Sequence, residues 1–228
     1  MPNVIRLVLF DIDGTLIRSG GAGVHAFGEA FTEVFQAPQA TAAMKFAGRT
    51  DFSLAREGMK ALGVDPKPED FARLFSSYTT FLRERLKDRP GAVCLGVQEF
   101  LTGLRQLAKP PLLGLLTGNI RLGAELKLRH YGLWEHFVFG AYADDHEDRN
   151  LIAKKAHERG REHLGPSLSG HEILVIGDTP HDVTCGRAIG ARVLAVATGG
   201  HTVEELAACR PDLVVEDLTK ISAAQACS

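Results

Sequence analysis

Six short apolar runs punctuate the chain: VIRLVLF (4–10), LLGLL (112–116), FVFG (137–140), EILVIG (172–177), RVLAVA (192–197) and DLVV (212–215). Each is nearly continuous rather than alternating with polar residues, which predicts strands buried on both faces, as in a parallel sheet. Between most of them lie amphipathic helical patterns, for example Val97, Phe100, Leu101, Leu104 and Leu107. Strand and helix in alternation predict a doubly wound, Rossmann-like α/β core, whose ligands lie beyond the carboxyl ends of the strands.

One interval breaks the rhythm. From residue 19 to residue 89 there is no strand-like run, only helical spacing, first at Val24, Phe27, Phe31, Val34 and Phe35 and later at Phe71, Leu74, Phe75, Tyr78, Phe81 and Leu82. The expected organisation is therefore a core of residues 1–18 and 90–228 with a small helical body of residues 19–89 inserted after the first strand. SGGAG (19–23) and KDRPGA (87–92) are its expected hinges.

Composition narrows the function. The chain has 228 residues, 45% hydrophobic and 24% charged, enough for a real core plus a second small body and too apolar for disorder. A formal net charge of -2 with dispersed basic residues leaves no broad footprint for nucleic acid or an anionic membrane. RERLKDR (83–89), the densest basic piece, is interleaved with acids and reads as a solvated helix face. No apolar run approaches membrane-spanning length, and the chain begins without a signal-peptide pattern. Cys94, Cys185, Cys209 and Cys227 form no close pair and no metal-ligand spacing, which suits free thiols in a reducing compartment. A cytoplasmic location is the expectation.

The chemistry starts where the first apolar run closes on LFDIDGTLIRSGGAG (9–23), with Asp11 and Asp13 two positions apart at a strand end. Like charges so close raise the cost of ionising both, and a small hard cation such as magnesium would offset it. DIDGT after a buried strand resembles the first signature of the haloacid dehalogenase-like hydrolase superfamily. LLTGN (115–119) and VIGDTPHDV (175–183) follow in order as its second and last signatures, and the resemblance covers essentially the whole chain.

That resemblance implies a role for each residue. Asp11 would be the nucleophile that forms an aspartyl-phosphate, and Asp13 would give and take the proton. Thr117 would hold a phosphoryl oxygen, Gly118 would let the backbone approach, and Asn119 would cap the next helix. Asp178 would complete a Mg2+ shell with the Asp11 carboxylate and the Asp13 main-chain carbonyl, supported by Asp182, which also suits a helix N-terminus. The third signature departs from the pattern, because ADDHEDRNLIAKKAHERG (143–160) has no Lys-Pro pair. Arg149 at the expected helix start is the candidate cation, in preference to Lys154 and Lys155 a turn and a half further in. The competing reading pairs Arg149 with the acids beside it.

The inserted helices resemble the superfamily's small helical cap, and FAGRTDFSL (46–54) resembles the cap loop of its phosphoglycolate phosphatase-like branch. Arg49 and Thr50 are expected to meet polar groups of a substrate, the arginine suiting a carboxylate. The implied function is a magnesium-dependent phosphatase acting on a small phosphorylated metabolite, as a monomer or homodimer. The alternatives are a hexose-phosphate mutase of the beta-phosphoglucomutase type and an inactive phosphate-binding protein, the latter disfavoured by intact Asp11, Asp13, Thr117 and Asp178. A dehalogenase has no use for a proton donor at Asp13. His181 and the acidic loop around His146 read as solvated, and TVEE (202–205) as a capping box.

Overall fold

The first apolar run becomes strand β1 (Leu7–Phe10), buried at every position. In the computed structural model, which describes residues 4–228, the chain continues through β2 (Ile17–Arg18), α1 (Ala22–Phe35), α2 (Asp51–Ala61), α3 (Pro68–Asp88) and β3 (Ala92–Val93). It returns to the sheet through α4 (Val97–Arg105), β4 (Leu112–Leu116), α5 (Arg121–His130), β5 (Phe139–Ala141) and α6 (Arg149–Leu164). The last elements are β6 (Ile173–Gly177), α7 (Pro180–Ala188), β7 (Arg192–Val196), α8 (Val203–Ala208), β8 (Leu213–Val215) and α9 (Ala223–Cys227).

Six strands form one parallel sheet in the order β5-β4-β1-β6-β7-β8. Because β1 lies between β4 and β6, with Phe10 level with Leu115 and Ile176, the carboxyl ends of three strands finish side by side. Alternate residues of the strands face two cores. Val8, Phe10, Leu115 and Ile176 pack against Val97 and Leu101 of α4, Leu128 of α5 and Ala226 of α9. Leu7, Leu9, Val175 and Val193 pack against Ile152 and Ala156 of α6, Val183 of α7 and Leu206 of α8. Two-sided burial is why these strands read as unbroken apolar runs.

Residues 19–89 contribute α1, α2 and α3 and an aromatic core of their own. Phe27 meets Tyr78 and Phe46 edge-to-face at centroid separations of 5.4 and 5.7 Å, with Phe31, Leu54, Met59 and Leu74 around them. Each such side chain, fully buried, contributes ~1.5–3 kcal/mol.

The strand expected over 137–140 lies two residues later at its start, because the Phe137 amide closes a 3-10 turn onto Trp134 instead of entering the sheet. An antiparallel ribbon, Ile17 opposite Val93 and Arg18 opposite Ala92, ties together the two crossings into the helical segment. Two residues per strand carry no period, so no pattern announced it. No helix among the described residues is long and apolar enough to cross a membrane, and all four cysteines are free thiols.

Candidate active site

Asp11 is the first residue beyond β1, and its amide still donates to Ile176 of the neighbouring strand at 3.0 Å. The chain then turns away at Gly14, in the left-handed region at φ 85°. A Cβ there would run into the carboxylate of Asp178, which follows β6 and accepts a hydrogen bond from Thr15 Oγ1 at 3.0 Å. Only glycine permits so close an approach.

Asp11, Asp178 and Asp182 are all buried and bring carboxylate oxygens within 4.8 Å of one another. Into this group reaches Arg149, the first residue of α6, whose N-cap Asp148 accepts from the Asn150 amide. Arg149 Nη2 lies 3.0 Å from Asp11 Oδ1 and 2.5 Å from Asp182 Oδ1. The acids beside it have other partners: Asp145 pairs with Arg159 and Glu147 with Arg56. Lys154 is exposed and Lys155 pairs with Glu158 on the surface of α6. Asp182 also accepts from Thr179 N and Oγ1, at 2.9 and 2.7 Å, the capping box that starts α7.

The electrostatics are unbalanced. Burial pushes Asp11 up to about 6, opposed by Arg149 and reinforced by Asp182 and Asp13. Burial and the Asp182 and Asp11 carboxylates drive Asp178 well above the carboxylate range. Burial also works against the charge of Arg149, yet Asp182 and Asp11 hold it firmly protonated. One guanidinium therefore faces three buried carboxylates. Hard oxygen donors with surplus negative charge are what a small divalent cation binds, and Asp11 and Asp178 fit one. Asp182, with both oxygens engaged, orients Arg149 instead.

Beyond β4, Thr117 is fully buried and its hydroxyl oxygen accepts from Asn119 N at 3.3 Å and Asn119 Nδ2 at 2.9 Å. Asn119 does not cap α5. Its side chain is drawn inward to Asp13, with Nδ2 2.8 Å from Asp13 Oδ2, and the helix start is satisfied by Asp51 accepting from Ile120 N and Asp144 from Arg121 N. Two functional candidates had escaped the sequence reading. Lys127 of α5, buried, places Nζ 2.6 Å from both Asp13 Oδ2 and Asn119 Oδ1. Its signal was a charge at 127 on the same helical face as Gly123, Ala124 and Leu128. Asp51 of α2, pushed up to about 6 by burial against the pull of Lys127, is the other.

These groups floor a cavity of about 410 Å³ roofed by Val24, Phe27, Phe46, Leu54 and Tyr78 of the helical segment. Loop 46–50 closes one side of it. Asp51 N donates to Gly118 O at 2.7 Å, and a Cβ at Gly118 would collide with the Arg49 carbonyl. Arg49 lines the cavity, but its guanidinium pairs with Glu57 at 2.5 Å on the same segment. Thr50 does not line this cavity: its hydroxyl donates to Glu147 O at 2.9 Å and accepts from Ser53 N at the start of α2. Thr50 thereby bonds the helical segment to the loop before α6.

Residues 8–196 match the family described as Haloacid dehalogenase-like hydrolase. The chain belongs to that family. It is similar to Probable phosphatase IndB of Dickeya dadantii, 26% identical over 222 residues that cover 94% of this chain and 91% of the relative. Similarity extends to Phosphoglycolate phosphatase of Pectobacterium atrosepticum, 25% identical over 95% of this chain and 91% of that one. Among solved structures, a predicted phosphoglycolate phosphatase from Haemophilus somnus has the same fold at a TM-score of 0.72, with 19% identity over 95% of this chain and 96% of its own. Family membership makes the chain a hydrolase, and the likeness runs through sheet and helical segment alike.

Proposed function

We propose that this hydrolase is a magnesium-dependent phosphatase of the phosphoglycolate phosphatase-like kind. It would cleave a small phosphomonoester through an aspartyl-phosphate on Asp11, with residues 19–89 acting as a cap. The observation that carries the reading is the pairing at the cavity floor: a buried carboxylate braced by Arg149, and two positions on a second carboxylate, 41% exposed at its side chain, that faces the cavity.

Asp11 attacks phosphorus in line; the ester P–O bond breaks and its electrons go to the leaving oxygen, which takes a proton from Asp13. Water then attacks the aspartyl-phosphate and gives its proton to Asp13, restoring the Asp11 carboxylate and releasing phosphate. Arg149 balances the charge of Asp11 and of the phosphoryl oxygens. Its Nε, buried and without an acceptor among the described residues, is a donor free for one of them. Thr117, which accepts from Asn119, keeps its own O–H for another.

Asp11, Asp178 and the Asp13 main-chain carbonyl would hold Mg2+. When bound, the ion supplies positive charge that neutralises the carboxylates and the transferring group. The apolar roof would shield the reacting groups on one side, and a 410 Å³ cavity suits a small leaving group. Relatives named phosphatases support the reaction class, and the four free thiols support a cytoplasmic setting.

The test is phosphate release from a panel of phosphomonoesters with magnesium, repeated in excess chelator and with Asp11→Asn. Release that needs the metal and vanishes in folded Asp11→Asn is expected. Full activity in chelator would remove the metal, and persistent turnover by the variant would remove the nucleophile.

A further inference from the structure

Lys127 is a cation at a core position. It is 4% exposed, on a helix face shared with Gly123, Ala124 and Leu128, and a lysine so placed must be compensated because an unpaired buried ammonium loses its hydration with nothing in return. Its compensation is specific. Nζ donates to Asp13 Oδ2 and Asn119 Oδ1, both at 2.6 Å, while Asn119 Nδ2 donates back to the same Asp13 oxygen at 2.8 Å. The three side chains close a ring whose members come from the loop after β1, the loop after β4 and the middle of α5. Asn119 Nδ2 continues it to Thr117 Oγ1 at 2.9 Å.

The ring treats the two oxygens of Asp13 differently. Oδ2 receives both donors, whereas Oδ1 has no hydrogen-bond partner among the described residues and belongs to a side chain 41% exposed toward the cavity. A carboxyl that must give a proton to a leaving oxygen and then take one from water works best with one oxygen fixed and the other free, so that the proton always moves along the same line.

We propose, on the reading of Asp13 as the proton donor and acceptor, that Lys127 is its positioning residue. The ammonium anchors Oδ2 and thereby presents Oδ1 to the leaving oxygen. In the first step the proton leaves Oδ1 as the ester P–O bond breaks; in the second the proton of the attacking water returns to Oδ1 as the Asp11–phosphate bond breaks. Lys127 keeps all its protons throughout. Its contribution therefore scales with how much the leaving group needs a proton.

Lys127→Met keeps an unbranched stem one atom shorter and removes the anchor. Phosphate release is measured for wild type, Lys127→Met, Asp13→Asn and the double variant on an alkyl and an aryl phosphate. Lys127→Met should lower kcat on the alkyl ester at least ~10-fold more than on the aryl ester, whose leaving group departs without a proton, with KM moving less than kcat. The double variant should be no slower than Asp13→Asn, because both changes remove one function. If Lys127→Met does not fold, judged by circular dichroism, Lys127→Gln, which keeps a donor, is read by the same ratio of substrates.

Equal losses on both esters, or a double variant slowed by the product of the single effects, would overturn the inference while leaving the phosphatase reading intact. A wild-type protein that releases phosphate from no ester would overturn both.

Discussion

Asp51 joins the helical segment to the sheet, and charging it is costly. Its amide donates to Gly118 O and its Oδ2 accepts from Ile120 N at 2.8 Å, so the first turn of α2 is bonded to the loop after β4 on both sides. Burial pushes its carboxyl from 3.8 to about 6, with Lys127 pulling the other way. The folded protein then holds this proton more tightly than the unfolded chain. Its contribution to stability is fully present below pH 3.8 and is lost as pH rises through about 6.

At ~1.4 kcal/mol per pH unit the interval corresponds to ~3 kcal/mol, reduced to ~2 kcal/mol because Asp51 keeps some contact with solvent. Asp51→Asn retains the volume and the acceptor for Ile120 N and removes the titration. Urea unfolding of both proteins from about pH 4 to about pH 7.5 should show the variant gaining ~2 kcal/mol on the wild type across that range. Asp11 and Asp178, also raised, slope both proteins alike, so the difference between them isolates Asp51. A difference constant to within ~0.5 kcal/mol would refute the account, which assigns the cost to burial of this one charge.

Arg149→Ala leaves Asp11 and Asp182 buried without their cation, so it should cost ~3–5 kcal/mol of stability and several orders of magnitude in turnover. Arg149→Lys should restore only part of it, since one ammonium cannot copy the fork, and near-normal turnover by Arg149→Ala would remove the assignment. Gly118→Ala drives a Cβ into the Arg49 carbonyl and should push loop 46–50 away from the sheet, raising KM and quickening hydrogen exchange in α2. Unchanged exchange would mean that the loop does not depend on that contact.

The sheet was legible because its strands are buried on both faces, and an apolar run needs no partner to be recognised. The strand-end positions of Asp11, Thr117 and Asp178 followed from the same runs. The placement of Arg149 beside Asp11 was legible from one rule, that a helix begins at the strand's carboxyl edge and its first residue faces the strand ends. The same rule hid Lys127. It discounts a lysine well inside a helix, correctly for Lys154 and Lys155, which lie on the outer face of α6. Lys127 lies on the inner face of α5, and its long stem runs along that buried face to the cavity. Helical phase, rather than distance from the N-terminus, decides which cation arrives. Asn119 was misjudged for a related reason: an amide near a helix start is a good cap in isolation, but here Asp51 and Asp144, brought in from distant parts of the chain, already serve those amides.

Two carboxylates two positions apart at a strand end pose a problem of charge, and the fold divides it by direction. Arg149 rises from α6, which packs on the face of the sheet carrying Leu7, Leu9 and Val175. Lys127 comes from α5, on the opposite face with Val8, Phe10 and Ile176. Each cation meets one aspartate: the guanidinium takes Asp11 and ties it to Asp182, the ammonium takes Asp13 and ties it to Asn119. The aspartates are thereby kept in distinct environments although the chain places them almost together. Asp11 is buried among other acids, where a metal and a phosphoryl group can meet it, and Asp13 is half-open to the cavity with one oxygen fixed. The proposed mechanism needs that separation, since its nucleophile must stay a charged, aimed oxygen while its proton carrier changes its proton twice in each turnover.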